Sequence, residues 1–240
     1  MKLAFMSDLH LSFNTKESNQ LFFDLLKKLQ NEVDALYILG DFFDYWLGDD
    51  DTNDFIESIK NAFSNFTKIK PIYFIVGNHD FAIGKRFAQE TGIILLKDCS
   101  VITVNNKRIL LAHGDAFCTL DKTYQKMKII LTNSITLFIL RRTSLKFRYN
   151  LKEKLSHNAS KSFNTKAKET YHIVDNTIIK YAKKYNVKTV IHGHTHNPGI
   201  YKINSTYGII ERVEIPDWSD HNPGGYVTFE NNKFEINIPK

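Results

Sequence analysis

Five short stretches hold the residues that could do chemistry. They are Ser7-Asp8-Leu9-His10, Gly40-Asp41-Phe42-Phe43-Asp44, Gly77-Asn78-His79-Asp80, His113-Gly114-Asp115 and His192-Gly193-His194-Thr195-His196. Between them they offer carboxylate and amide oxygen together with imidazole nitrogen. That mixture suits Mn, Fe, Co or Zn better than calcium or purely oxygen-ligated magnesium. Asp8, His10 and His196 can hold one ion, and Asn78, His113 and His194 a second, with Asp41 bridging two ions about 3.5–4 Å apart. Such a pair generates a hydroxide nucleophile at neutral pH and clamps the oxygens of a phosphorus centre during in-line attack. Glycines beside the ligands permit tight turns and close backbone approach. Any one stretch alone is a weak signal, since Asp-x-His also makes a strand-end turn and His-Gly-His a surface loop. Packing does not account for all five together.

The elements that must position them follow from hydrophobic periodicity. Each stretch sits just past an apolar run that reads as a strand. Residues beyond the carboxyl ends of parallel strands converge on one crevice. Lys2 to Met6 predicts a strand, Ser18 to Asn31 an amphipathic helix, and Ala35 to Leu39 a second strand. Phe55, Ile56, Ile59, Phe63 and Phe66 recur at helical spacing after a Thr52/Asn53 cap. Ile72 to Val76 predicts a third strand and Phe81 to Thr91 a short helix. Val101 to Val104 and Lys107 to Ala112 predict a hairpin across Asn105-Asn106. From Thr119 to Tyr185 the pattern is helical, without glycine or proline. A strand at Lys188 to His192 follows, then short strands punctuated by Asn222-Pro223-Gly224-Gly225 and Asn231-Asn232. The alternation predicts an α/β layered fold, with residues 1–240 forming a single domain interrupted by a helical lid insertion at about 119–185.

Composition narrows the classes. In 240 residues, 42% hydrophobic and 24% charged content excludes a disordered chain. No run reaches the roughly 20 apolar residues of a spanning helix. The opening Met1-Lys2-Leu3-Ala4-Phe5-Met6-Ser7-Asp8 is too short an apolar run for a signal peptide. Two cysteines, Cys99 and Cys118, make neither a disulfide framework nor a thiolate zinc cage and read as reduced thiols of a cytoplasmic protein. The net charge of +6 is unevenly spread. Residues 121–189 hold 16 Lys and Arg against Asp121, Glu153, Glu169 and Asp175, so the rest of the chain is acidic. Concentrated basic charge points to an anionic substrate or partner.

The five motifs resemble those of the calcineurin-like metallophosphoesterases over residues 1–115 and 187–238. The resemblance implies a four-layer α/β/β/α sandwich, the ligand assignment above, catalytic roles for Asp41 and His79, and a position for His79 near the scissile phosphate. Longer stretches are similar to the UDP-2,3-diacylglucosamine diphosphatase branch of that family. These are Ala35-Leu36-Tyr37-Ile38-Leu39-Gly40-Asp41, Trp46-Leu47-Gly48-Asp49-Asp50-Asp51, Tyr73-Phe74-Ile75-Val76-Gly77-Asn78 and Gly84-Lys85-Arg86-Phe87-Ala88. His113-Gly114-Asp115 followed by Cys118, Thr119, Asp121, Tyr124 and Gln125 completes the likeness. The branch implies manganese-dependent hydrolysis of a pyrophosphate, releasing UMP and 2,3-diacylglucosamine 1-phosphate for lipid A synthesis. It also implies a lipid-linked nucleotide-sugar substrate bound by Asn78, His79, Asp121, Ser160, Asn164 and His194. Ser160, Asn164 and Lys168 share one helical face, which favours Lys168 over Lys166 as the family's lysine. Where the branch commonly has Gly-Asn-Arg-Asp, this chain has Gly77-Asn78-His79-Asp80. A sugar 1-phosphate leaves without a proton donor, so His79 is expected to stabilise charge rather than protonate.

The apolar runs Ile129-Ile130-Leu131 and Ile135 to Leu140 precede Arg141, Arg142, Lys146, Arg148, Lys152 and Lys154. A lid of that kind suits acyl chains or an anionic membrane surface, and peripheral attachment to the cytoplasmic face of the inner membrane is expected, as a monomer. Packing against the core accounts equally well for any single residue among them. Asp121 has a second reading as a helix cap. Asp44 and Asp80 are expected to orient histidine ligands, and Asp115 to be structural or orienting. His192, Trp46 and Trp218 read as core; His157, His172 and His221 as surface or packing residues. A nuclease or cyclic-nucleotide phosphodiesterase gripping a phosphate backbone is the rival enzyme, with Phe147, Tyr149 and Phe163 available for stacking. No nucleic-acid module is visible, so no nucleic-acid partner is expected. An inactive scaffold has no need to keep seven ligands.

Overall fold

Side chains alternate across each strand, and in this chain both faces are apolar, so each sheet must be covered on both sides. The computed structural model describes residues 1–154, 172–218 and 224–239. One sheet has the order β11-β10-β1-β2-β3-β4. In it β1 (Leu3–Met6), β2 (Ala35–Ile38), β3 (Ile72–Phe74) and β4 (Ile94–Leu95) run parallel. β10 (Tyr226–Glu230) joins β1 antiparallel, with Leu3 opposite Phe229, and β11 (Lys233–Asn237) closes that edge. The second sheet has the order β5-β6-β7-β9-β8. Its members are β5 (Ser100–Val104), β6 (Lys107–Leu111), β7 (Thr189–His192), β8 (Gly199–Ile203) and β9 (Ile210–Glu214). The hairpins β5–β6 and β10–β11 turn on Asn105-Asn106 and Asn231-Asn232, all four with φ between 49° and 63°. Asparagine tolerates that left-handed geometry, which the two-residue turn requires.

Three apolar layers hold the four structural layers together. Leu3, Phe5, Tyr37, Ile109, Leu111 and Val213 meet between the sheets. The opposite faces of β1 to β3 present Ala4, Met6, Leu36, Ile38, Ile72 and Phe74 to α1 (Lys16–Glu32), α2 (Asp54–Thr67) and α3 (Lys85–Thr91). The outer face of the second sheet packs Leu110, Val190 and Ile210 on Ile178 and Ala182 of α7 (Asp175–Tyr185). The result is an α/β/β/α sandwich. Each fully buried Leu, Ile or Phe contributes about 1.5–3 kcal/mol from burial. Phe63 of α2 touches the rings of Phe22, Phe42 and Phe87. Phe63→Ala would cost about 3–5 kcal/mol and would undercut Phe42, the neighbour of Asp41.

Three helices follow Asp121: α4 (Lys122–Leu131), α5 (Ser134–Leu140) and α6, described over residues 145–154. Without glycine or proline, the breaks come from capping. Asn133 accepts the Ile135 N–H, and Ser144 Oγ accepts the Phe147 N–H. Asp121 accepts the Tyr124 N–H at 3.0 Å, so its capping reading is realised. α3 begins at Lys85 rather than Phe81, because the carboxylate of Asp49 takes the N–H groups of Gly84 and Phe87. Trp46 and Trp218 are core residues, as expected. Among the described residues, no helix is long and apolar enough to cross a membrane. Ser160, Asn164 and Lys168, with His157, Lys166 and His221, lie outside the described residues.

Candidate active site

β1, β2, β3, β6 and β7 end on the same side of the two sheets, and each ends in one of the five motifs. Five of the expected ligands hold left-handed backbone: Asp8 (φ 56°), His10 (48°), Asp41 (52°), His194 (76°) and His196 (52°). Each such residue costs of the order of 1–3 kcal/mol and persists only where its surroundings enforce it. Here the loops enforce one another. Asp8 N–H donates to the Gly40 carbonyl, and His10 N–H to that of Asp41, both at 3.0 Å. Asp8 Oδ2 accepts the His194 N–H at 2.8 Å. A side chain at Gly193 would strike Asp8 Oδ2, and one at Gly40 (φ 94°) would meet the Gly77 backbone and the His113 ring.

The side chains gather into adjoining groups. Asp8, His10 and His196 offer ligand atoms within 4.8 Å of one another, and so do Asp41, His113 and His194. His113 Nδ1 donates to the Leu39 carbonyl at 2.9 Å, which leaves Nε2 facing Asp41 Oδ2 at 3.6 Å and Asn78 Oδ1 at 3.1 Å. His196 Nε2 lies 3.6 Å from Asp8 Oδ1 and its Nδ1 3.5 Å from Asp217 Oδ2. The structure thus brings Asp8, His10, Asp41, Asn78, His113, His194 and His196 into one centre. His79 is there too. It ranks with His10 and Asp41 as a third group, its Nε2 lying 3.9 Å from Asp41 Oδ2.

The donor set fits divalent cations. Asp8 is 1% exposed, yet its Oδ1 makes no hydrogen bond among the described residues. A buried carboxylate oxygen without a donor is costly, and a cation removes that cost. Burial lowers His10 against the pull of Asp41, and burial with the charge of His113 lowers His194 to about 4. Both imidazoles are therefore neutral and able to ligate. Burial would lower His113 as well, but Asp41, Asp8 and Asp115 outweigh it and raise it to about 9. Burial of His196 is likewise outweighed, by Asp8 and Asp217. The His113 imidazole thus holds a proton that a metal ion would displace.

Several supports were not legible in the sequence. Glu214 is fully buried and accepts Thr195 Oγ1 at 2.5 Å and the Asn197 N–H at 2.9 Å, clamping the loop that carries His194 and His196. Asp217 backs His196, and Asp98 accepts the His113 N–H at 3.1 Å. Asp80 does not orient a histidine ring. Its oxygens accept the backbone N–H groups of Gly77 and Phe42 at 2.6 and 2.8 Å, tying the Asn78 loop to the Asp41 loop. Asp44 acts through its carbonyl, which accepts His79 Nδ1 at 2.5 Å. His192 is fully buried, and burial lowers it to about 3, as befits a core residue.

The model of the calcineurin-like phosphoesterase family matches residues 1–198. The chain belongs to that family. Calcineurin-like phosphoesterases are hydrolases, and the Asp/His centre has the donor set of a divalent-metal site. UDP-2,3-diacylglucosamine hydrolase of Pseudomonas fluorescens (strain SBW25) is 38% identical over 217 residues, covering 90% of this chain and 87% of that one. The enzyme of the same name from Pseudomonas putida (strain KT2440) is 37% identical and covers 90% of both chains.

A cavity of about 470 Å³ leads away from this phosphoesterase centre. Asn78, His79 and His194 line it together with Met127, Leu131, Leu140 and Leu151 of α4 to α6, and Asp98, Lys128, Arg148 and Lys152 add charged groups to its wall. Asp121 borders it as well. The run Ile135 to Leu140, open to a lid-surface or a core reading from its sequence, divides between the two. Leu137 packs on the helix-side core, while Ile135, Phe138 and Ile139 are 56–68% exposed.

Proposed function

We propose that the protein hydrolyses the pyrophosphate of UDP-2,3-diacylglucosamine to UMP and 2,3-diacylglucosamine 1-phosphate, using two manganese ions. The observation that carries this is the continuity of a hydrolytic centre with an apolar cavity. A nucleotide needs no wall of Met127, Leu131, Leu140 and Leu151. An acyl chain does, and the volume is that of a pocket which buries most of a ligand. The named relatives support the same substrate.

In this reading Asp8, His10 and His196 would hold one ion and Asn78, His113 and His194 the other, with Asp41 available to both. Bound ions supply an activated hydroxide and neutralise the phosphoryl oxygens. His79 serves charge. Its Nδ1 faces a carbonyl, which only accepts, so Nδ1 carries a proton and Nε2 is the nitrogen turned to the site. The leaving sugar 1-phosphate is a weak base and takes no proton from it. Asp121, Ser160, Asn164 and Lys168 are assigned to the head group by resemblance.

The α4–α6 segment is read as a lid inserted in a single domain. Ile129, Ile130, Ile135, Phe138 and Ile139 are exposed beside Arg141, Arg142 and Lys146. Apolar residues beside cations suit the surface of an anionic bilayer, the cytoplasmic face of the inner membrane, from which a monomer would draw its lipid. Incubation of purified protein and Mn2+ with UDP-2,3-diacylglucosamine, single-stranded DNA or cyclic nucleotides tests the proposal. UMP released from the first alone supports it. Turnover of DNA or cyclic nucleotides alone sinks the substrate, and no turnover with metal bound means a scaffold.

A further inference from the structure

Lys128 reaches from α4 toward the loop that carries His113, and the reaction above makes no use of it. Its Nζ donates to Asp115 Oδ1 at 2.7 Å and to Asp98 Oδ2 at 3.3 Å. Asp98 Oδ1 in turn accepts the His113 N–H at 3.1 Å. Asp115, two residues beyond His113, is 2% exposed, and its Oδ2 accepts Tyr124 Oη at 2.5 Å. Gln125 Nε2 adds a bond to the Asp115 carbonyl at 2.8 Å. Three side chains of α4 therefore stitch that helix to the exit of β6.

Charge shows what the lysine does. One ammonium stands between two carboxylates and donates a hydrogen bond to each. Lys128 borders the cavity, but these two acceptors already fix its direction. Without it, Asp98 and Asp115 would face each other as like charges. Asp115 is buried and held by Tyr124, whereas the Asp98 side chain is 28% exposed and would keep only the Cys99 and His113 N–H groups on its Oδ1 against the pull of water. The His113 N–H would then lose its acceptor, and the loop its restraint.

We propose that Lys128 is a positioning residue that, acting through Asp98, holds the His113 backbone and couples the placement of the lid helix to metal affinity at the His113 side of the centre. The proposal rests on the ligand assignment given under the proposed function. The coupling is reciprocal, as any linkage of two sites must be. Metal on His113 steadies α4, and a displaced α4 loosens the metal.

The test is Mn2+ titration of the metal-free full-length protein, by calorimetry and by the Mn2+ paramagnetic signal, on wild type and four variants. Lys128→Met should weaken the ion at the His113 side by about 10–100-fold, the range seen when groups behind metal ligands are removed. The other ion should bind unchanged. Lys128→Arg, which keeps a cation between the carboxylates, should restore the affinity. Should Lys128→Met fail to fold, Asp98→Ala carries the same expectation from a position more open to solvent than Asp115. Lys128→Met with wild-type Mn2+ affinity and a raised KM would overturn the proposal, because the lysine would then be a substrate contact. His113→Ala separates the two levels. If it keeps both ions, the ligand assignment falls and this inference with it. If it loses one ion while Lys128→Met loses none, only the inference falls.

Discussion

Arg148 and Asp50 form one ion pair, yet removing one partner should hurt far more than removing the other. Arg148 reaches from α6 to the loop after β2, where its two terminal nitrogens meet both oxygens of Asp50. It also donates to the carbonyls of Leu47 at 2.8 Å and Thr143 at 3.1 Å. The arginine side chain is 1% exposed and the aspartate 48%. In Arg148→Met the carboxylate returns to water, so the half-exposed pair itself costs about 0–1 kcal/mol. Two carbonyls lose a donor at roughly 0.5–1.5 kcal/mol each, for a total near 2 kcal/mol. Asp50→Ala instead strands a buried guanidinium, a change worth about 3–5 kcal/mol. Read by hydrogen exchange over residues 145–154, protection should fall about 30-fold in Arg148→Met and on the order of 10²–10⁴-fold in Asp50→Ala. Peptides from β1 and β2 serve as the control and should not change. Equal losses, or a larger loss in Arg148→Met, would refute the reasoning that burial asymmetry governs the pair.

His79→Ala should lower kcat about 10²-fold, as when one donor to a developing oxyanion is removed, whereas His79→Arg, which supplies a permanent cation, should retain most of the rate; equal loss in both would show that the imidazole does more than carry charge. Replacing Ile135, Phe138 and Ile139 by Ser should weaken binding to anionic vesicles and turnover of the acylated substrate, and leave a small soluble phosphodiester untouched; equal loss on both substrates would place these residues in the core. Burial raises Glu214 from 4.5 to about 7. The folded chain therefore holds this proton more tightly than the unfolded one, and stability is lost as pH rises from about 4.5 to 7. Glu214→Gln keeps acceptors for Thr195 and Asn197, so the metal-free variant should melt above wild type at pH 8 and level with it below pH 4.5; a constant difference across that range would contradict the titration.

The layers were legible because their causes are local. Leu3 and Phe5 alternate with Ala4 and Met6, which marks a strand buried on both faces, and Asn105-Asn106 is a turn on its own chemistry. The seven metal-centre residues were legible because each follows a strand directly, so strand order alone brings them together. Less could be read where a distant side chain decides the outcome. Asp49 sets the start of α3 from 36 residues upstream of Lys85, and nothing between Phe81 and Gly84 announces it. Glu214 and Asp98 hold ligand loops, yet neither sits in a motif that announces it, Glu214 lying between Val213 and Ile215 and Asp98 between Lys97 and Cys99. Leu137 packs inward while Ile135 and Phe138 face out, a split that composition leaves open because it fixes the helix but not the rotation of its face. Asp80 carried a histidine-orienting expectation from its neighbour His79, whereas its oxygens are taken by backbone donors.

Manganese-soaked crystals, examined by anomalous scattering at the manganese edge, test the central claim most directly. The account predicts two peaks about 3.5–4 Å apart, with Asp41 between them. Asp8, His10 and His196 should surround one, and Asn78, His113 and His194 the other. A single peak, or two that leave His113 and His194 without a metal neighbour, would contradict it.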